Sequence, residues 1–260
     1  MQSHFNNDAA IEFRDVGYIL PNGQPLLRSL NLTVQRGETL ILLGRSGSGK
    51  TTSLKFVNRL LVPTSGEVLV NGASPAQADV IRLRRSIGYV IQDVGLFPHF
   101  TVQRNIATVP EIEGWPIERI RARVEELLQL VGLDSSLVSR YPHQLSGGQR
   151  QRVGVARALA ADPSILLMDE PFGALDALTR DQLQREFLSL QQRLKKTVVF
   201  VTHDLREALR LGSRIALMEA GQLVLTLPPE DFLHSDHPLA SAYVKAFGED
   251  LDSVANRGSS

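Results

Sequence analysis

The chain has 260 residues, enough for one large α/β core or a core with a small insert, and its 28 basic residues balance 28 acidic ones. That balance, without a basic stripe, argues against nucleic acid as a partner, and the absence of cysteine excludes disulfides and thiolate metal sites and suits a reducing compartment. Residues Met1 to Ala10 are polar, with no secretory signal, and no apolar run reaches the ~18–20 residues that cross a bilayer, so the chain is expected to be soluble, with any membrane-spanning part on another polypeptide.

Residues 11–16 and 30–34 read as short strands flanking the turn Pro21-Asn22-Gly23. Residues 38–43 form a compact apolar run that feeds Gly44-Arg45-Ser46-Gly47-Ser48-Gly49-Lys50-Thr51-Thr52. This segment fits G-x-x-x-x-G-K-[ST] in the strand–loop–helix setting that a phosphate loop requires. Gly44, Gly47 and Gly49 let backbone amides approach phosphate oxygens without side-chain clashes. Lys50 can reach the β- and γ-phosphates, the Thr51 hydroxyl can ligate Mg²⁺, and Thr52 adds a contact near the α-phosphate. The helix expected over 49–61 would turn its unpaired N-terminal amides toward the same phosphates.

Residues 66–70 alternate like a strand and end in an Asn71-Gly72 turn signal. Residues 87–91 form another strand, followed by Gln92. Its amide could ligate Mg²⁺ or the attacking water, with its loop a natural hinge, or it is a plain polar loop residue. From about Gly95 to Tyr141 the chain reads as a helical insert in the α/β core. Residues 101–131 lack strands, and Ile120, Val124, Leu127, Leu128 and Val131 recur at helical spacing. Adding the helix expected over 147–161 gives a helical subdomain of about 95–160. That helix is opened by Leu145-Ser146-Gly147-Gly148-Gln149, a second glycine turn and a second anion-binding surface. One nucleotide rarely needs two such surfaces from one chain, so this turn is assigned to a neighbour's nucleotide.

The buried run at residues 165–169 ends in Asp169, where a carboxylate can hold a magnesium-bound water away from bulk solvent. Glu170 points to a different side and can polarise an attacking water as a general base. The plainer alternative is two acids that cap a strand and start a turn. A helix over 179–194 and an apolar strand over 198–201 precede His203. That histidine could hydrogen-bond the γ-phosphate or orient the lytic water, or it could be a helix-start residue beside Asp204. The other histidines, His4, His99, His143, His234 and His237, lack ligand spacing and read as surface residues. Residues 214–218 and 222–226 read as a closing hairpin around Ala220-Gly221. Strands alternating with helices argue for a mostly parallel sheet with helices on both faces. The domain spans 11–247, and residues 248–260 read as a disordered tail.

Together the motifs resemble the nucleotide-binding subunit of an ATP-binding cassette (ABC) transporter, over nearly the whole chain. Residues 44–52 resemble its Walker A loop, Gln92 its Q-loop glutamine, and 145–149 its signature. Residues 165–170 resemble its Walker B strand with the catalytic base, Ala174-Leu175-Asp176 its D-loop, and His203 its switch histidine. The resemblance implies a P-loop NTPase (RecA-like) α/β fold, with an antiparallel β subdomain and a helical insert on a mostly parallel sheet. It implies an ATPase using ATP and Mg²⁺, the metal near Thr51, Gln92 and Asp169. It further implies a head-to-tail homodimer sandwiching two ATP molecules, with Asp176 at the interface. Each ATP would lie between the Walker A loop of one subunit and Ser146, Gly147, Gly148 and Gln149 of the other. The expected place is the cytoplasmic face of a bacterial membrane, with a permease and, indirectly, a solute-binding protein as partners.

A finer resemblance is to importers, carried by Ile87-Gly88-Tyr89-Val90-Ile91-Gln92, Gly95-Leu96-Phe97-Pro98-His99 and Pro171-Phe172-Gly173-Ala174-Leu175-Asp176. Asn105-Ile106-Ala107-Thr108-Val109-Pro110 with Gly114-Trp115 resembles the glycine betaine, carnitine and choline (osmoprotectant) branch. In two places the chain departs from the family pattern. The aromatic that stacks on adenine is expected at Leu20, and the nearest is Tyr18. Paired regulatory domains common in that branch are not expected in a chain ending near Ser260. A soluble non-transport ABC ATPase, or an exporter subunit, shares the catalytic motifs. The former usually carries a second cassette or sustained heptads, and the sequence contains neither.

Overall fold

A computed structural model describes residues 8–246. β1 (Ala9–Ile19) and β2 (Pro25–Gln35) form an antiparallel hairpin, β3 (Thr39–Leu43) leads into α1 (Lys50–Val57), and β4 (Ser65–Val70) returns to pair with β1. α2 (Val80–Arg85) and β5 (Ile87–Val90) precede a helical layer of α3 (Val102–Ile112), α4 (Ile117–Leu130) and α5 (Gly147–Leu159). The chain then alternates through β6 (Ile165–Asp169), α6 (Ala177–Leu194), β7 (Thr197–Thr202), α7 (Leu205–Leu211) and β8 (Arg214–Glu219). β9 (Gln222–Leu227), α8 (Pro229–Leu233) and a helix over 238–246 complete the described chain.

The strands form two sheets. A three-stranded antiparallel sheet has the order β2-β1-β4, and a six-stranded sheet has the order β5-β6-β7-β3-β8-β9. In the larger sheet β5 through β8 are parallel, and only the edge strand β9 runs antiparallel. Side-chain alternation sorts its residues between two cores. Ile41, Leu43, Met168, Phe200 and Leu217 face the helical layer with α6 and α7. Leu40, Leu42, Leu167, Val201 and Met218 face α1 and the small sheet. The two sheets also meet at their ends, where the Arg28 amide donates to the Gly221 carbonyl at 2.9 Å.

Several boundaries differ from the sequence expectation, each for a local reason. β1 and β2 outrun 11–16 and 30–34 because bulges break the apolar alternation that marks a strand. α1 ends at Val57, four residues before the expected Leu61, because Arg59 takes a positive φ of 52° and Leu60 and Leu61 fold back to the Lys55 carbonyl. The insert holds two helices before the signature turn, separated at Gly114 (φ 72°) and Pro116, where one had been recognised. α2, α3, α8 and the helix over 238–246 lie outside the helices expected from the sequence, while α7 starts directly after Asp204, its N-cap, as the plainer reading of His203 has it. His4 and the expected tail over 248–260 lie outside the described residues. Among the described residues no helix is long and apolar enough to cross a membrane.

Candidate functional site

The phosphate loop sits where β3 gives way to α1, at the C-terminal edge of the parallel strands, the usual ligand edge of such sheets. Two of its glycines are required by space and backbone angle. A Cβ on Gly44 would lie 2.2 Å from the Met218 carbonyl oxygen. Gly49 is the N-cap of α1 at φ 96°, and a Cβ there would meet Leu27 at 2.5 Å. Lys50 is buried, and its ammonium donates to the carbonyls of Gly44 at 2.7 Å and Arg45 at 2.8 Å, which holds the loop closed upon itself. Burial lowers the Lys50 pKa, and Glu170 and Asp169 pull it back up. Ser48 is buried, and its hydroxyl has no hydrogen-bond partner.

Asp169 and Glu170 go to different partners. The Thr51 hydroxyl donates to Asp169 Oδ1 at 2.8 Å, so the last residue of β6 is tied to the first turn of α1. Burial pushes the Asp169 carboxyl upward, the Thr51 hydrogen bond opposes this, and the Glu170 charge adds to it. Glu170 steps out of the strand into the left-handed region at φ 44°, with its amide bonded to the Val201 carbonyl at 3.0 Å. A non-glycine residue there stores about 1–3 kcal/mol of backbone strain, a feature that clusters at functional sites. The turn brings Glu170 Oε2 to 3.3 Å from His203 Nδ1, at the end of the neighbouring strand β7.

Thr51, Glu170 and His203 share one cleft of about 680 Å³, whose walls also include Arg45, Ser46 and Gln92. Gln92 is exposed on the loop after β5, and that loop is pinned from α5. Arg157 donates to the carbonyls of Val94 at 2.6 Å and Gly95 at 2.7 Å. The second glycine turn is elsewhere. Ser146 caps α5 in a reciprocal capping box with Gln149, and neither these two residues nor Gly147 and Gly148 line the cleft. Asp176 caps α6 by accepting from the Thr179 amide at 3.0 Å.

Tyr18 and Leu20 are also absent from the cleft walls. The Tyr18 ring packs edge-on against Phe56, 5.4 Å between centroids, as part of the core between the sheets. Asn105, fully buried, ties residues 97–101 together through bonds to both the amide and the carbonyl of Phe97. Its presence in this segment has a structural cause in this chain.

Sequence reasoning missed one wall. Leu239, Ala242, Tyr243 and Ala246, from the helix over 238–246, complete the cleft almost two hundred residues beyond the phosphate loop. Burial raises the Tyr243 phenol, with Arg45 acting against that shift and Glu219 with it. No local pattern marks this contact, because it depends on where the helix lands after β9. Tyr89, on β5, is likewise half-buried near Asp169, and burial first and then that carboxylate hold its phenol above the usual range.

The cleft suits a nucleoside triphosphate. Arg45, Ser46 and Thr51 bring the phosphate loop and the start of α1 to its wall, and the Glu170 carboxylate and His203 imidazole line the same cleft. For a divalent cation the nearby donors are the hard oxygens of Thr51 and Asp169, with Gln92 on the same cleft. No cluster of three or more His, Cys, Asp or Glu exists among the described residues. This fits magnesium, which takes one or two protein oxygens and completes its shell with phosphate and water, and does not fit an all-protein metal cage.

Comparison with known proteins places the chain in a family. A family model described as ABC transporter matches residues 27–173. The glycine betaine/carnitine/choline transport ATP-binding protein OpuCA of Bacillus subtilis is 47% identical over 237 residues, covering 91% of this chain and 62% of that protein. The osmoprotectant import ATP-binding protein OsmV of Salmonella typhimurium is 51% identical, covering 83% of this chain and 57% of that protein. The glycine betaine uptake system ATP-binding protein YehX of Escherichia coli is 51% identical, covering 86% and 75%. The chain thus spans about three fifths of the length of the first of these relatives. Among solved structures, a dimeric post-hydrolysis ATP-binding cassette bound to ADP and Pi superposes with a TM-score of 0.76 at 33% identity, covering 84% of this chain and 98% of that one. The protein cbiO1 of Clostridium perfringens, part of the transporter complex cbiONQ, gives a TM-score of 0.82 at 26% identity, covering 94% and 99%. On sequence and fold alike, this chain belongs to the ABC transporter family.

Proposed function

We propose that the chain is the ATP-hydrolysing subunit of an ABC importer for quaternary-amine osmoprotectants, and that it works as a head-to-tail pair. The observation that carries this reading is an incomplete site. The cleft gathers the phosphate loop, Gln92, Glu170 and His203, while the glycine turn at 146–149 opens a different helix and leaves Ser146 exposed. A second copy that laid its α5 N-terminus across the cleft would supply the missing anion-binding face. ATP would hold the pair together, because its γ-phosphate makes contacts that exist only in the closed form.

In that pair Lys50 leaves its carbonyl partners for the β- and γ-phosphates, a short movement because the ammonium already lies within the loop. Thr51 and Asp169 would hold Mg²⁺, which neutralises charge that develops on the phosphates. Glu170 accepts the proton of the attacking water, and His203, 3.3 Å from it, orients that water or the γ-phosphate. Hydrolysis removes the contacts that closed the pair.

The force must reach a permease. A groove of about 390 Å³ runs between the Gln92 loop and the helical layer, lined in part by Arg85, Ile91, Phe97, Val109 and Arg157. Its mixed basic and apolar lining suits a short amphipathic helix from a membrane partner, which would place the chain at the cytoplasmic face of the membrane. The solute, delivered through a solute-binding protein, is read from the names of the relatives. The two catalytic halves can be tested by mixing. Lys50→Ala and Gly148→Asp are each expected to be inactive alone, whereas their mixture should recover phosphate release through one intact composite site. No recovery from a mixture that forms pairs would refute the shared site. Uptake of labelled glycine betaine by vesicles carrying the whole transporter tests the solute.

A further inference from the structure

Glu207 is a buried acid with no place in the mechanism above. It is 5% exposed, and the pattern Asp204-Leu205-Arg206-Glu207 suggests an ordinary capping box at the start of α7. The structure builds something else. Asp204 caps the helix by accepting from the Arg206 amide at 2.7 Å, while its own amide donates to Thr202 Oγ1 at 3.0 Å and not to Glu207. Glu207 turns inward. Its Oε2 accepts from the Thr202 hydroxyl at 2.6 Å, and its Oε1 accepts from Gln184 Nε2 on α6 at 3.1 Å. Gln184 in turn accepts from Arg210 at 3.1 Å.

The direction of every bond in this chain is set. Arg210 can only donate, so the Gln184 oxygen faces it and the Gln184 amide nitrogen must face Glu207. The Glu207 carboxylate can only accept, so the Thr202 hydroxyl, which takes the Asp204 amide on one lone pair, sends its proton to Glu207. Position 207 thus receives two donors, for which a carboxylate offers two accepting oxygens and a carboxamide only one. The groups around it are placed accordingly: Asp204 is a like charge, and Arg180 on α6 is an opposite one. Arg180 also donates to the Leu175 carbonyl at 2.9 Å, one residue before Asp176.

We propose that Glu207 is a positioning residue for hydrolysis, tying the strand end that carries His203 to helix α6, whose cap is Asp176. Thr202 is the last residue of β7 and His203 follows it directly, so a bond that fixes Thr202 fixes where the imidazole can lie beside Glu170. On its other oxygen, Glu207 holds the helix whose first turn would meet the second copy. The network thus joins the interface between copies to the imidazole at the reacting water. This inference rests on the ATPase reading of the cleft.

The test is phosphate release by the full chain at varied Mg-ATP, with melting temperatures measured alongside. Glu207→Gln leaves either the Thr202 proton or the Gln184 amide without its acceptor and should lower kcat about tenfold or more, with KM for ATP within about twofold of wild type. The double exchange Glu207→Gln with Gln184→Glu restores every donor–acceptor pairing: the carboxylate at 184 accepts from Arg210 and from the amide at 207, whose oxygen accepts from Thr202. It should recover kcat to within about threefold of wild type. Thr202→Val should lose turnover as Glu207→Gln does, and Thr202→Ser should not. Wild-type kcat in a folded Glu207→Gln protein would overturn the proposal, as would a folded double exchange that stays as slow as the single variant. If Glu207→Gln does not fold, the threonine pair decides: normal turnover in Thr202→Val overturns the proposal. Failure of the wild-type chain to hydrolyse ATP would instead overturn the functional reading beneath it.

Discussion

Replacing Glu170 by glutamine removes one proton acceptor and little else. The backbone that aims the side chain is held independently, by the bond from the Glu170 amide to the Val201 carbonyl at 3.0 Å and by the strained turn at φ 44°. Glutamine has the same length, and its amide can still meet His203 Nδ1 across the present 3.3 Å. Lys50, Thr51 and the loop amides are untouched, so nucleotide affinity should be retained. Binding can even tighten, because the Glu170 charge now works against the neighbouring Asp169 carboxylate. The lost chemistry is the capacity to take a proton from water, and general-base catalysis contributes about 10²–10⁴ in rate. That range corresponds to about 2.7–5.5 kcal/mol on the barrier. Phosphate release at saturating Mg-ATP should therefore fall at least a hundredfold, on the order expected for a lost base. Light scattering after size exclusion should show ATP-stabilised pairs that outlive those of the wild type, since hydrolysis is their route of separation. A kcat within fivefold of wild type would assign the base elsewhere. Loss of ATP-driven pairing in the folded variant would refute the claim that Glu170 acts after closure.

Phe200 is fully buried on β7, with ring centroids 5.7 Å from Phe172 and 6.1 Å from Phe187. Phe200→Ala should destabilise the fold by about 3–5 kcal/mol in urea unfolding, and a loss below about 2 kcal/mol would mean that the core refills the space. Glu38 shows the opposite balance: burial raises its pKa, and the Gln35 amide and Arg214 only partly offset this. Because its folded pKa lies above the ordinary carboxylate value, its stabilising contribution is fully present at acid pH and is lost as pH rises through the folded pKa. Glu38→Gln should therefore hold or raise the melting temperature at pH 7, with the gain shrinking toward pH 4. A loss above about 1 kcal/mol at pH 7 would show that the Arg214 pairing outweighs desolvation.

Much of this protein is written locally. The phosphate loop, the runs that became β3, β6 and β7, and the acids at the end of β6 were legible because strands buried on both faces must be continuously apolar. Glycines at a strand-to-helix turn have equally few explanations. The same logic made the insert recognisable as helical through Ile120, Val124, Leu127 and Leu128, all of which are buried on α4. Short elements left weaker traces. α7 is a seven-residue helix, too short to establish a period, and its Glu207 resembles a capping residue until its partners are seen.

Tertiary structure decided the rest. The order β5-β6-β7-β3-β8-β9 brings Asp169 against Thr51, 118 residues away in the chain, and sets Glu170 beside His203 at the ends of two adjacent strands. It also lays the helix over 238–246 along the cleft and leaves the glycine turn of α5 outside it. Hydrophobic period and turn chemistry act over a few residues and therefore show in the sequence. Which surfaces meet is set by the packing of a whole layer at once, and no short segment carries that information.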